Sequence, residues 1–539
     1  MCGIAVAIDW PGAETVVARM IEGLTHRGDV TDPLVSPRPN TAMCTRRLRI
    51  VDAAGGAQPK LSHDGRVLVS FNGQIYNHAD LRRELEAEGI GFHSESDTEL
   101  LATAISVWGA RALERFQGMY AFVALDLQRG DFLAARDPLG VKPLYLVQSP
   151  DGGFLFCSEI RPLLNAAETG EVMLLPPGHL LTKTLCAPFP TPFTRRPELG
   201  PASLETFDRI LASAVHARVP PSLPFALMLS GGIDSTLVAH YSRQVRTDAS
   251  AYFLGDADAT DYRFASEYAE RNGVDLRTVS LPTGGDATLD LIDRAIAATE
   301  AFEPCILRPS LCNYVLAERI HADGFRVALC GEGADELFAG YPPLEAAFAT
   351  SQEAGAFTRE QYLAGMNRSN LQRVDRCAMH FMVETREPFL DAAVIDYALA
   401  CEASALVERT LHGLRGKKPL RDLYGLYPEA LPASIRDRKK LPFSEGAGFE
   451  TGLSDSPCIG LAEAAISDAD LAEGQREFEA YNLKTKEELF YLRKLSALMD
   501  IERVPHLKGR LHLFLPAGVD VSAFRDDLLP PSPLTALSA

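Results

Sequence analysis

The chain has 539 residues, 46% hydrophobic and 23% charged, which excludes a disordered, fibrous or peptide-sized molecule and, at roughly 100–200 residues per domain, predicts two to four domains. A net charge of −19 repels polyphosphate backbones and argues against nucleic acid as a partner. No apolar run reaches the ~18–20 residues that span a bilayer and the first residues lack a basic secretion leader, so a cytoplasmic protein with no membrane partner is expected.

Ten cysteines lie scattered from Cys2 to Cys458 with no CxxC pair, which argues against both a zinc site and a disulfide framework. Cys2 stands apart. Removal of Met1 would put a thiol and a free α-amine on one residue, and an amine with a pKa of roughly 7.7–8.0 can take the thiol's proton near neutral pH. By position alone, a cysteine there is more often a small buried residue.

From Val67 to about Leu181, short alternating apolar stretches punctuated by Gly, Pro and Asp read as strands, interrupted by helices over Asp80–Glu88 and Asp97–Val107. This predicts a β-rich α+β domain. Prolines cluster between Pro176 and Pro201, which places the linker there. Beyond it, strand and helix alternate from Phe225 to Cys330, predicting an α/β domain with a doubly wound parallel sheet. After about Gly340 the pattern is mainly helical, and a Pro- and Ser-rich tail from Pro530 is expected to fray.

The motifs of the first part come in a fixed order: Met1-Cys2-Gly3-Ile4, His26-Arg27-Gly28, Arg47 to Asp52, Asn72-Gly73-Gln74-Ile75-Tyr76-Asn77, Ser96-Asp97 and Arg136-Asp137-Pro138-Leu139-Gly140. That series resembles the class II glutamine amidotransferases, whose N-terminal-nucleophile hydrolase fold stacks two antiparallel sheets between helices. Amide hydrolysis needs an oxyanion site, and the Asn72 side-chain amide with the Gly73 N–H supplies two donors, although Asn-Gly alone would read as a hairpin turn. Free glutamine carries a carboxylate and an ammonium group. The resemblance assigns these to Arg47 and Asp97, with backbone groups of Ile50 and Val51 nearby and Gln74 standing where the family usually has Glu.

In the second part, Leu229-Ser230-Gly231-Gly232-Ile233-Asp234-Ser235 joins an apolar strand to a helical pattern, so its backbone N–H groups can approach a phosphate at a helix N-terminus. It lacks Walker A spacing and looks like a pyrophosphate-binding loop, which implies adenylation by ATP. Cys330-Gly331-Glu332-Gly333-Ala334-Asp335-Glu336 also follows a strand, where open α/β sheets place ligands. Asp234 and Asp335 could then share Mg2+. Taken separately, each would be an ordinary cap or turn residue.

With Glu384 to Asp391, Arg438 to Ser444 and Thr485-Lys486-Glu487, this order is similar to that of glutamine-hydrolysing asparagine synthetases, from Cys2 to about Met499. The resemblance implies a carbon–nitrogen ligase with a glutaminase domain over 2–190, a synthetase domain over 200–520 and a tail over 521–539. It implies glutamine, aspartate and ATP as substrates, and a homodimer. It assigns Lys440 to the α-phosphate, Glu332 to accepting a proton from ammonia, and Leu229, Leu254, Cys330 and Gly331 to the nucleotide pocket. Cys330, Ala334 and Glu387 depart from the commonest pattern. Because ammonia released into neutral water becomes ammonium, a dry internal passage between the two sites is expected. The alternatives are an amidotransferase of the same architecture acting on another carboxylate, a cyclase or sulfur-transfer enzyme on the same phosphate loop, and a catalytically retired protein. Intact Cys2 and the Asp234/Asp335 pair count against the last.

Overall fold

The computed structural model describes residues 2–192, 200, 203–282, 284–411, 413–438, 441, 443–450 and 456–508. Lys440 and the 521–539 tail lie outside the described residues.

The Cys2–Ile8 strand sits inside a seven-stranded antiparallel sheet, between the Phe154–Cys157 and Thr41–Arg47 strands. Its seven residues are all buried, so no polar alternation marks it as a strand in the sequence. Ile4, Val6 and Ile8 face a second, six-stranded antiparallel sheet and pack with Leu68, Ala121, Val123 and Leu125 from it. Ala5 and Ala7 face the other way, onto helix Ala13–Glu22. The outer face of the second sheet, with Val67, Val69 and Phe71, is covered by Leu81, Leu85, Leu100 and Leu101 of helices His78–Ala87 and Asp97–Trp108. The result is a four-layer sandwich with helices outside and sheets inside.

The proline cluster expected as a linker behaves differently. Strands His179–Leu181 and Cys186–Pro188 form a hairpin that extends the second sheet beside Phe132–Arg136. Proline is tolerated because the Cys186–Pro188 strand is the edge strand, where a missing ladder N–H leaves no gap.

The second sheet system is five-stranded and parallel, in the order Asp275–Val279, Ser250–Leu254, Ala226–Met228, Val327–Leu329, Glu384–Arg386. In order of appearance this is 3-2-1-4-5, so the chain reverses direction across the sheet between its first and fourth strands. The loops after those two strands flank the crevice where such sheets bind ligands. The last strand lies beyond Gly340, in a stretch expected to be mainly helical. Only three residues long and fully buried, it shows no period of its own. Among the described residues no helix is long and apolar enough to cross a membrane, and all ten cysteines are unpaired.

Candidate active sites

Cys2 heads its strand directly opposite Arg47 and is buried at 6% exposure. Burial pushes its thiol pKa up, against a hydrogen bond from the Leu48 backbone, so an unassisted thiol here would be a poor nucleophile. The Cys2 backbone nitrogen donates to Asn72 Oδ1 at 2.9 Å. Asn72 is fully buried, and its Nδ2 has no hydrogen-bond partner among the described residues. A buried orphan donor beside a thiol is a costly arrangement unless something charged arrives to use it. Gly73 follows on the same strand. A Cβ there would overlap Met119 O and lie 2.7 Å from Tyr120 Cα, so the residue must be glycine for the strands to approach this closely.

Arg47 is held by Asp32 through two bonds, Nε to Oδ2 at 2.9 Å and Nη2 to Oδ1 at 3.2 Å, and by Ala53 O at 3.3 Å. Half-buried Ile50 and Val51 begin the turn that Asp52 closes through Gly55 N at 2.7 Å. Asp97 is the first residue of the Asp97–Trp108 helix, capped by Ser96. Burial raises its carboxyl pKa to about 6, opposed by His78 and the Ile75 backbone N–H. Gln74 Nε2 donates to Asp97 Oδ2 at 3.0 Å, and Gln74 Oε1 faces Arg386 Nη2 at 3.5 Å. The neutral amide thus satisfies both neighbours, where a carboxylate would confront Asp97. Cys2, Asn72, Gly73, Gln74, Arg47 and Asp97 therefore gather at the adjoining ends of the two sheets.

The second group forms at the crevice of the parallel sheet. Gly231, at φ +68°, packs so closely that a Cβ would lie 2.7 Å from Ala265 N. Ser230 Oγ and Ser235 Oγ are 3.1 Å apart across the loop, and helix Ile233–Val245 starts immediately, with Asp234 and Ser235 in its first turn. Gly331, after the fourth strand, lets that loop pack against Asp234, whose Cβ would be 2.9 Å from an added one. Leu229, Leu254 and Cys330 are buried around the strand ends, and burial holds the Cys330 thiol well above its ordinary range. Asp234 and Asp335 converge on one point, occupied by Lys417 Nζ. Glu332 is fixed by Arg373 Nη2 at 2.7 Å and Asn370 Nδ2 at 3.1 Å. Glu387 is buried, its carboxyl pKa raised by burial against the pull of Lys142 and Arg218.

The two sequence regions match family models along almost their whole length: residues 1–208 a glutamine amidotransferase domain, residues 206–363 and 345–506 an asparagine synthase. The chain belongs to the asparagine synthase family. It is 30% identical over 522 residues to a probable asparagine synthetase [glutamine-hydrolyzing] of Dictyostelium discoideum, covering 88% of this chain and 89% of that protein. A Schizosaccharomyces pombe protein of the same description is 29% identical, with 92% and 93% covered, and asparagine synthetase [glutamine-hydrolyzing] 3 of Arabidopsis thaliana is 29% identical, with 91% and 86% covered.

Within this family architecture, the structure adds residues that sequence reasoning missed. Asp32 and Gln58 brace the first site, with Gln58 Nε2 at 3.9 Å from Cys2 Sγ and Gln58 N bound to Asp32 Oδ2 at 2.9 Å. Asn370 and Arg373 brace Glu332. Two residues after Arg373, on another face of the same Asn370–Met379 helix, Asp375 receives Arg27 Nη2 at 3.0 Å and Lys142 Nζ at 3.1 Å from the first sandwich. Arg27 also reaches Cys2 O at 3.3 Å and Glu159 at 2.9 Å. His26-Arg27-Gly28 is the sequence motif that points to this network, and the carboxylates it meets, Glu159 and Asp375, lie more than 100 positions away.

Proposed function

We propose that this chain is a glutamine-dependent asparagine synthetase. Residues 2–190 hydrolyse glutamine, and residues 200–520 use ATP to adenylate the aspartate β-carboxylate, which ammonia converts to asparagine with release of AMP. The single observation carrying the glutamine half is the buried, unpartnered Asn72 Nδ2 beside Cys2. In this reading, loss of Met1 gives Cys2 the amine that its desolvated thiol needs as a base. The thiolate attacks the glutamine amide carbon, the oxyanion takes hydrogen bonds from Asn72 Nδ2 and Gly73 N, and ammonia leaves a thioester that water then hydrolyses. Arg47 binds the substrate carboxylate, with Ile50 and Val51 alongside, and Asp97 with Gln74 binds its ammonium group.

In the synthetase half, Ser230, Gly231, Gly232 and Ser235 offer backbone and hydroxyl donors to the pyrophosphate, and Leu229, Leu254, Cys330 and Gly331 line the nucleoside. Glu332, positioned by Arg373 and Asn370, takes the proton that ammonia loses as it attacks. Lys440 is assigned to the α-phosphate on the sequence resemblance alone. Asp234 and Asp335 suit Mg2+, since carboxylate oxygens are its preferred protein ligands, and Asp234 Oδ1 is buried without a hydrogen-bond partner among the described residues. No described cluster offers three or more such ligands, so phosphate oxygens and water would complete the shell. When bound, the ion neutralises the departing pyrophosphate.

Purified protein supplied with glutamine, ATP, Mg2+ and a panel of carboxylic acids tests the reading. Asparagine, AMP and pyrophosphate should form in equal amounts, with aspartate used in preference to the other acids. Preferential amidation of another acid would favour an amidotransferase of different acceptor specificity.

A further inference from the structure

Lys417 belongs to none of the motifs that stand out in the sequence, yet it ends on both halves of the proposed metal site. Its Nζ lies 2.5 Å from Asp234 Oδ2 and 2.6 Å from Asp335 Oδ1, and its side chain is 5% exposed. The two carboxylates stand in the first turns of the helices that follow two neighbouring strands, Asp234 in Ile233–Val245 after Ala226–Met228 and Asp335 in Ala334–Leu337 after Val327–Leu329.

The position is built by the surrounding chain. Lys417 adopts φ +57°, a left-handed conformation that a residue with a Cβ rarely takes. Its own N–H donates to Phe338 O at 2.8 Å, and Arg421 Nε holds Gly416 O at 3.0 Å. Two glycines, Gly416 before it in the chain and Gly340 beside it in space, make room for it. A Cβ on Gly416 would overlap Ala339 O, and one on Gly340 would overlap both Lys417 Cε and Asp335 Oδ1. A strained backbone, two glycines and two hydrogen bonds together aim one ammonium group at one point.

That point is where two carboxylates would share a divalent cation. With the ammonium between them the trio carries a net charge of −1, which is weak compensation for stripping water from a doubly charged ion; without it the pair carries −2. ATP changes the balance, because its phosphates supply both further ligands for the metal and a new partner for a flexible lysine. We propose that Lys417 is a resident counter-ion: it fills the divalent-cation position between Asp234 and Asp335 while the site is free of nucleotide, and moves onto the phosphates when nucleotide and metal enter together. The empty site is thereby kept from repelling itself, and free metal is kept out until ATP arrives. This deepens the ATP-using reading above and rests on it.

The test is a titration of nucleotide-free, full-length protein with Mn2+, following the free ion by electron paramagnetic resonance. Wild-type protein should bind Mn2+ weakly. Lys417→Met and Lys417→Gln should each bind one ion at least tenfold more tightly, and adding Asp234→Asn to Lys417→Met should remove the gain. Equilibrium dialysis with ATP and Mg2+ should show a tenfold or greater loss of ATP affinity in the Lys417 variants. Tight Mn2+ binding to nucleotide-free wild type would overturn the proposal without reference to any variant, as would equal Mn2+ affinity in wild type and both variants. Wild-type dialysis separates the two layers. If wild-type protein binds ATP but the Mn2+ affinities do not change, only the counter-ion role falls; if it binds no ATP, the nucleotide site falls as well.

Discussion

Replacing Asn72 tests the oxyanion assignment with two variants that make different errors. Asn72→Ala removes the Nδ2 donor and also the oxygen that accepts from Cys2 N at 2.9 Å. Asn72→Asp keeps an oxygen facing Cys2 N but has no donor, and puts negative charge where negative charge develops. Loss of one donor to an oxyanion lowers kcat by about 10²–10³, or ~2.7–4 kcal/mol of transition-state stabilisation. Because Asn72 is fully buried, alanine should also destabilise the fold by about 1–3 kcal/mol through the unpaired Cys2 N–H, a penalty the aspartate variant reduces. Both variants should therefore lose glutaminase kcat by two orders of magnitude or more, read as glutamate release at saturating glutamine. Asparagine formation from added ammonium should stay within a factor of about two. A loss smaller than tenfold in both variants, or a parallel loss of ammonia-dependent synthesis, would refute the reasoning.

Cys2→Ala should abolish glutamine use and leave ammonia-dependent synthesis intact, measured side by side in the same preparation. Glu332→Gln should do the reverse, stopping asparagine formation from either nitrogen source while glutamate release continues. The Asp97 carboxyl, at about pKa 6 in the folded protein against ~3.9 in an unfolded chain, has to be ionised to hold an ammonium group, so KM for glutamine should climb as pH falls below about 6. The same raised value means the stability linked to this group is full below pH ~4 and is lost as pH rises through about 6; Asp97→Asn should accordingly raise Tm at pH 7.5 while weakening glutamine binding. Arg27→Met removes one of the buried cations on Glu159, which keeps Arg376, and on Asp375, which keeps Lys142, and should lower stability in chemical denaturation by less than the ~3–5 kcal/mol of a buried charge stripped of its partner.

The parts of this protein legible in its sequence were those whose chemistry is local. The Leu229–Ser235 and Cys330–Glu336 strings sit at strand ends because their glycines are needed within the same few residues. Asn72-Gly73 is legible because the buried amide and the glycine demanded by the close strands are neighbours in sequence. What stayed hidden depends on partners distant in sequence. Lys417 looks like one of two lysines before a helix-starting proline, and nothing local says that it meets Asp234 and Asp335. Asp375 and Arg373 share a ten-residue helix whose two faces serve different sites, which becomes apparent only when the Arg27 and Glu332 segments are in place. Burial on both faces removes the alternation that marks a strand and hides Cys2–Ile8 and Glu384–Arg386 in the sequence, and the proline-rich hairpin resembles a linker because an edge strand tolerates what a central one cannot.

The most direct measurement follows glutamine labelled with 15N at its side-chain amide, supplied with aspartate, ATP and Mg2+ in the presence of unlabelled ammonium. Nitrogen passed internally from Cys2 to the activated carboxylate should appear in the asparagine side-chain amide at a 15N fraction well above that of the bulk ammonium, with one AMP per asparagine. A 15N fraction equal to the bulk pool would contradict the internal route, and label recovered only as free ammonium, with no labelled asparagine, would contradict the account as a whole.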